Sequence, residues 1–208
     1  LKNKHLLFIK NKKFLNKFEE SSSNVEISVV FDERLWKSIE NKSIYESLLG
    51  AIFTSREVDI TISLLSKPFY DFKKNISIEL SDARKEGKVA IHDNVKIGEN
   101  CFIGANVSIG AGTIISPGVN LMGDLTIGSE CLIYPQVTIY KNVMIGDRAR
   151  IHSGSIIGAD GFGYNYKDGI HHKVWHMGGV IIGNDFEMGA NSCVDQGTFS
   201  PTKIADGV

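Results

Sequence analysis

The chain has 208 residues and a mass of 22.9 kDa, with 23 Lys+Arg against 24 Asp+Glu and a formal net charge of −1. That length suits one or two domains, and the charge balance excludes nucleic acid as the main partner, because neutralising phosphates takes a concentrated basic surface. No apolar run approaches the roughly 18 residues that a bilayer span requires, and the first thirty residues carry Lys and Glu where an export signal carries an apolar stretch. Cys101, Cys131 and Cys193 are too few and too scattered for a disulfide framework or a paired-Cys zinc site, so a reducing cytoplasm is expected.

Residues 1–86 contain only one of the 21 glycines, Gly50. A loop over Ser21–Asn24 precedes a β-rich run, Val25–Phe31, and a second short β-type stretch covers Ala51–Thr54. Val58, Ile62, Leu65 and Phe69 then recur at helical spacing until Pro68 disturbs the pattern. A small α/β domain is expected here, followed by a polar connector over residues 73–88.

From residue 89 the period changes to six. Ile91, Ile97, Ile103, Ile109, Ile115, Leu121, Ile127, Ile133, Ile139, Ile145, Ile151 and Ile157 are all large aliphatics. With about a quarter of a typical chain made of Ile, Leu, Val or Met, such a run arises by chance on the order of once in ten million trials. A second column of small or β-branched residues, from Val95, Cys101 and Val107 to Ala149 and Ser155, follows four positions behind. A six-residue period fits a short strand and a sharp corner, repeated, and three such units close a triangular coil of eighteen residues with the aliphatics inside. A parallel β-helix of about four coils is predicted for residues 91–157, continuing after an interruption. Glycine follows the aliphatic at Gly98, Gly104, Gly110, Gly128 and Gly146, where its tolerance of unusual backbone angles suits a tight corner. The eighteen-residue stagger sets Ser116, Tyr134 and His152 in one vertical file, Met122, Tyr140 and Gly158 in another, and Gly110, Gly128 and Gly146 in a third.

The pattern resembles the hexapeptide-repeat acyltransferases, and that resemblance implies a left-handed β-helix, making the fold mainly β: a left-handed parallel β-helix behind a small α/β domain. After Ile157 the register fails and resumes at Ile182-Gly183, so residues 158–181 are expected as a loop extruded from one corner. The stretch Ile151-His152-Ser153-Gly154-Ser155, then Asp160-Gly161-Phe162-Gly163-Tyr164, with Val180-Ile181-Ile182-Gly183 and Gly189-Ala190-Asn191 beyond, narrows the likeness. It is similar to the UDP-3-O-acylglucosamine N-acyltransferase family of lipid A biosynthesis.

The family resemblance implies a uridine-binding domain at residues 1–86 and a β-helix at residues 87–208. Leu7-Phe8-Ile9-Lys10-Asn11-Lys12-Lys13-Phe14 is similar to the family's uracil-binding segment, with Phe8 and Phe14 as the stacking pair and Asn11 as the polar contact. Ring faces hold a flat heteroaromatic base and an amide reads its edge. The same phenylalanines also fit as core aromatics of a small domain. Lys12 stands where the family has Pro, Phe14 where it has Tyr, and Gln196 where it commonly has Arg. Gly161, Phe162, Gly163 and Tyr164 form a candidate substrate loop.

The implied chemistry transfers a 3-hydroxyacyl group from the phosphopantetheine of acyl carrier protein to the 2-amino group of a UDP-3-O-acylglucosamine, forming an amide. No metal or other cofactor is implied, and a neutral His serves as general base. None of the six histidines matches that base, which is expected beyond Val208; His152, on a regular coil, is the nearest substitute. With Leu1 in place of an initiating Met, the chain is read as a fragment, its β-helix incomplete at the C-terminus. A homotrimer in the cytoplasm of a Gram-negative-type bacterium is implied. Three other readings stand beside this one: a nucleotide-sugar N-acetyltransferase using acetyl-CoA, a β-helix metalloenzyme of carbonic-anhydrase type with His171 and His176 as ligands, and a non-catalytic scaffold.

Overall fold

The computed structural model describes residues 5–21, 27–73 and 88–208. Ser22–Asn24 of the expected loop, Val25 and Glu26 of the expected strand, and residues 74–87 of the connector lie outside them. The chain divides into two compact units, Leu1–Phe69 with Tyr164–Val174, and Tyr70–Gly163 with Trp175–Val208.

The first unit contains a parallel sheet of β1 (His5–Ile9), β2 (Ile27–Asp32) and β3 (Ala51–Ser55), in that spatial order. Parallel strands need a crossover between them. Helix α1 (Lys12–Glu19) supplies the first, and α2 (Glu33–Ser38) with α3 (Lys42–Leu48) the second. Ile9, Leu15, Ile27, Val29 and Phe31 form the core, with Trp36 and Tyr45 against Phe31 at ring-centroid distances of 4.9 and 6.1 Å. Helix α4 (Val58–Lys73) runs through Pro68, contrary to the sequence expectation. The proline removes one hydrogen bond, to the carbonyl of Leu64, whose side chain is 61% exposed, so water can take the donor's place. The buried stripe is Val58, Ser63 and Ser66, and Phe69 faces outward.

The second unit is a stack of coils. Strands β4 (Val89–Ile91), β5 (Lys96–Ile97) and β6 (Phe102–Ile103) form the first, and β7 (Val107–Ile109), β8 (Ile114–Ile115) and β9 (Asn120–Leu121) the second. Strands β10 (Leu125–Ile127), β11 (Leu132–Ile133) and β12 (Thr138–Ile139) form the third, and β13 (Val143–Ile145), β14 (Arg150–Ile151) and β15 (Ile156–Asp160) the fourth. The hairpin β16 (Tyr164–Lys167) and β17 (Ile170–Lys173) follows and belongs to the first unit. Then β18 (Val180–Ile182), β19 (Glu187–Met188) and β20 (Cys193–Gln196) complete a fifth coil, and β21 (Thr202–Ile204) opens a sixth. Three parallel sheets result, one on each face of a parallel β-helix.

Both predicted columns fill the prism. From Ile103 to Ile157 every large aliphatic is at most 3% exposed, and the second column from Cys101 to Ser155 at most 7%. The polar members of the second column reach corner carbonyls: Thr113 Oγ1 donates to Gly128 O (2.7 Å), Ser155 Oγ to Gly189 O (2.8 Å), and Cys131 Sγ to Gly146 O (3.2 Å). A buried polar group without such a partner would destabilise the coil. Tyr134 and His152 stack at 4.4 Å with planes 10° apart, so the predicted vertical file exists.

The role expected of the corner glycines needs correction. From Ile97 to Ile151 a left-handed backbone angle falls three residues after each large aliphatic, at Asn100, Asn106, Gly112, Gly118, Asp124, Glu130, Gln136, Asn142, Arg148 and Gly154. Gly110, Gly128 and Gly146 are absent from that set. A Cβ on Gly110 would lie 2.7 Å from Gly128 C, one on Gly128 2.6 Å from Gly146 C, and one on Gly146 2.7 Å from Gly183 C. Successive backbones approach too closely there for any side chain. Beside this column Asp206 Oδ1 accepts from Asn184 N, Asn184 Oδ1 from Asp147 N, and Asp147 Oδ1 from Ser129 N, all at 2.7–2.8 Å.

The chain leaves the prism later than the expected residue 158. Gly158 (φ +90°) makes a bulge after which Ala159 and Asp160 still pair with Asp195 and Gln196, and the coil resumes at Val180. Burial pushes the Cys131 thiol up, and Cys193 is exposed. Alkylation of the native protein is therefore expected to label Cys193 and spare Cys131 until unfolding, read by mass spectrometry. A thiol raised on folding contributes stability that is complete below its unfolded pKa and is lost as pH rises through the folded one.

Candidate functional site

Because the three strands of the first unit are parallel, their C-terminal ends share one edge, the edge at which open α/β sheets bind ligands. The ends of β1 and β2 run into helix starts capped by a side chain, and past β3 a side chain holds the turn before α4. Asn11 Oδ1 accepts from Phe14 N (3.2 Å), Asp32 Oδ1 accepts from Arg34 N and Leu35 N (both 3.0 Å), and Ser55 Oγ accepts from Glu57 N (3.1 Å). A cleft of about 580 Å³ opens there. Lys10 and Asn11 line it from just past β1, Asp32 from the end of β2, Arg56 to Ile60 from the turn after β3 and the start of α4, and Asn165, Tyr166 and Lys167 from the hairpin.

Its three cations are matched by carboxylates. Lys10 Nζ lies 3.1 Å from Asp59 Oδ1, Arg56 Nε 2.7 Å from Glu33 Oε2, and Lys167 pairs with Glu57. Hydrogen bonding to Glu57 raises the Lys167 ammonium above the usual lysine range, and Lys37 and Arg56 lower the Glu33 carboxyl below the usual carboxylate range. These exposed, flexible pairs are weak individually and exchange readily for other partners.

Asn11 lies in the cleft. Its oxygen is committed to the helix cap, which leaves the amide N–H groups as its donors. Phe14 is 42% exposed, lies outside the core cluster, and has Lys10 Nζ 5.9 Å from its ring centroid; Phe8 is half-buried on β1. Asp32, Arg56, Glu57, Asp59, Asn165 and Lys167 were not singled out from the sequence. Their common signal is position: four lie at or just past a strand end, and two lie on a hairpin whose Asp168-Gly169 turn is a strong hairpin dipeptide.

In the second unit, the expected loop residues Gly161 and Gly163 pass close over His176, which is only 6% exposed. A Cβ on Gly163 would lie 3.2 Å from His176 Nε2. Phe162 between them is 89% exposed, and Tyr164 begins the hairpin of the first unit. Gln196 bridges the insertion's two ends, with Nε2 donating to Asp160 Oδ1 (3.0 Å) and Oε1 accepting from Gly179 N (3.3 Å). His152 sits on the coil surface, stacked on Tyr134 and 3.6 Å from Glu187 Oε1. A smaller concavity of about 380 Å³ is lined by Asn106, Asp124, Asn142 and Met144 among others. Among the described residues no group of three or more His, Cys, Asp or Glu side chains is placed to hold a metal ion, and no helix is long and apolar enough to cross a membrane.

The family described as the GMPPB C-terminal domain matches residues 85–206, more than half of the chain. The chain belongs to that family. Within the GMPPB C-terminal domain family, the matched region here contains the β-helix. Curated relatives named UDP-3-O-acylglucosamine N-acyltransferase are similar over shorter stretches. One from Marinomonas sp. is 49% identical over 67 residues (32% of this chain, 20% of the relative). One from Wolinella succinogenes is 44% identical over 79 residues (38% and 25%), and one from Paracidovorax citrulli 40% over 91 residues (44% and 24%). The matches thus span about a fifth to a quarter of these relatives' length. Among solved structures, a perosamine N-acetyltransferase from Caulobacter crescentus is 17% identical with a TM-score of 0.39, covering 100% of this chain and 93% of that one. That likeness is too distant to bear on function.

Proposed function

We propose that the chain is part of an N-acyltransferase that acylates the 2-amino group of a UDP-3-O-acylglucosamine, with a 3-hydroxyacyl group delivered by acyl carrier protein. The observation that carries this reading is the 40–49% identity to relatives bearing that name. The cleft at the strand ends, with Asn11 inside it, supports a nucleotide-binding role for the first unit. Phe8 and Phe14 stack on the uracil and Asn11 reads its edge; Gly161, Phe162, Gly163 and Tyr164 line the path of the substrate. The general-base His belongs to a coil beyond Val208, the functional assembly is a homotrimer in the cytoplasm, and no metal takes part.

The full-length protein, given UDP-3-O-(3-hydroxyacyl)glucosamine with either 3-hydroxyacyl carrier protein or acetyl-CoA, is expected to form the amide only with the former, followed by mass spectrometry. Turnover with acetyl-CoA alone makes it a nucleotide-sugar N-acetyltransferase, and turnover with neither makes it a scaffold.

Asn11 carries two roles that substitution separates. Asn11→Ala is expected to cost about 1 kcal/mol of stability through the lost cap. Asn11→Asp keeps the capping oxygen and the stability. Both lose the amide donor and bind UDP at least several-fold more weakly, which urea unfolding and UDP titration measure side by side.

A further inference from the structure

The insertion between the fourth and fifth coils does more than leave the prism. Ile145 pairs with Ile182, 37 positions on, where neighbours in the preceding coils are 18 apart, so 19 residues are added. Their ordered hairpin groups with the first unit and is fastened to α4 through both strands. From β16, Asn165 Nδ2 donates to Asp59 O (2.7 Å) and Ser63 Oγ (3.0 Å), and Lys167 pairs with Glu57. On β17, His172 O accepts from Ser63 Oγ (3.2 Å), and Ser63 is only 4% exposed. A buried hydroxyl satisfied by both strands of a hairpin fixes that hairpin's register against the helix. Between the anchored Asn165 and Lys167 stands Tyr166, 67% exposed and lining the same cleft as Asn11.

We infer that this hairpin is the specificity wall of the nucleotide cleft: Tyr166 and Lys167 contact a bound nucleoside diphosphate, and Asn165 is the positioning residue that holds them there. The inference rests on the uridine-nucleotide reading above and extends it to residues 165–167. The chemistry of the cleft selects this ligand. Lys10 and Lys167, both lining the cleft, are held by Asp59 and Glu57, and a diphosphate offers both ammonium groups stronger acceptors. The released carboxylates can then accept from ribose hydroxyls, and the Tyr166 ring offers a flat apolar surface beside them.

Titration calorimetry of the full-length protein with UDP and with uridine tests this. Lys167→Met is expected to weaken UDP about tenfold and uridine less than twofold, whereas Asn165→Ala weakens both about tenfold. Ser63→Ala, which removes the anchor from the helix side, reproduces Asn165→Ala with the hairpin sequence intact. In turnover the KM for the UDP-sugar rises while kcat and the KM for the acyl donor stay put, a split that general loss of folded protein does not produce. UDP affinity within twofold of the unsubstituted protein for both Asn165→Ala and Lys167→Met overturns the inference. Absence of UDP binding by the unsubstituted protein overturns both it and the function proposed above. UDP binding that shows these shifts without any N-acyl transfer supports the hairpin's role and removes only the proposed chemistry.

Discussion

Replacing Ile133 by Ala is expected to lower the unfolding free energy by about 2–5 kcal/mol, the range for deleting a fully buried aliphatic side chain. Ile133 lies in the third of the coils, is 0% exposed, and pairs with Ile115 below and Ile151 above. A cavity there is walled by strands of three coils whose backbones are tied by ladder hydrogen bonds, so little collapse can fill it. Ile114, one position before the inward column, is 39% exposed, and Ile114→Ala is expected to cost well under half as much. Urea unfolding followed by circular dichroism compares the two. Equal losses would contradict the assignment of inside and outside along the repeat.

Gly128→Ala is expected to destabilise by about 1–3 kcal/mol or more, as overpacking does, although it adds a single methyl group. The added carbon would meet the backbone of Gly146, and a backbone held in a ladder cannot swing aside as a side chain can. Gly112 provides the contrast. Its φ is +73°, and a Cβ there meets only Glu130 Cγ at 3.5 Å, an ordinary contact. Asn100, Asn106 and Asn142 occupy the same phase of the repeat with left-handed angles, so Gly112→Asn is expected to be nearly neutral. Gly128→Asn should be at least as damaging as Gly128→Ala. Thermal unfolding of the three variants checks this, and tolerance of Gly128→Asn would show that the coils can separate at that corner.

These glycines show where the sequence was readable and where it was not. A six-residue recurrence is a one-dimensional signal, and it located both inward columns and the vertical files without any knowledge of contacts. Why Gly128 is glycine depends on a backbone eighteen residues away, and the corner's strained position belongs instead to Glu130. The three-stranded sheet was partly visible in its apolar runs. The cleft was not, because Asp32, Arg56 and Asp59 become neighbours only once the strand order is known. Asn165 reaches its partner Asp59 across 106 positions, and no local pattern signals such a contact. The helix over Val58–Lys73 was visible in its spacing, but not its passage through Pro68, which depends on the exposure of Leu64.

The wider pairing interval across the insertion bears on how cheaply a repeat architecture can acquire an accessory element. Doubling the closed segment, from 18 residues to 37, adds only about 0.6 kcal/mol of loop-closure entropy, because that cost grows with the logarithm of length. Stacking therefore resumes at Val180 at almost no thermodynamic disadvantage, and a corner of the prism can be lengthened while the coils on either side keep their register. Changes in ligand preference can then arise by editing a corner insertion, one residue or one length step at a time, without renegotiating the core that every coil shares.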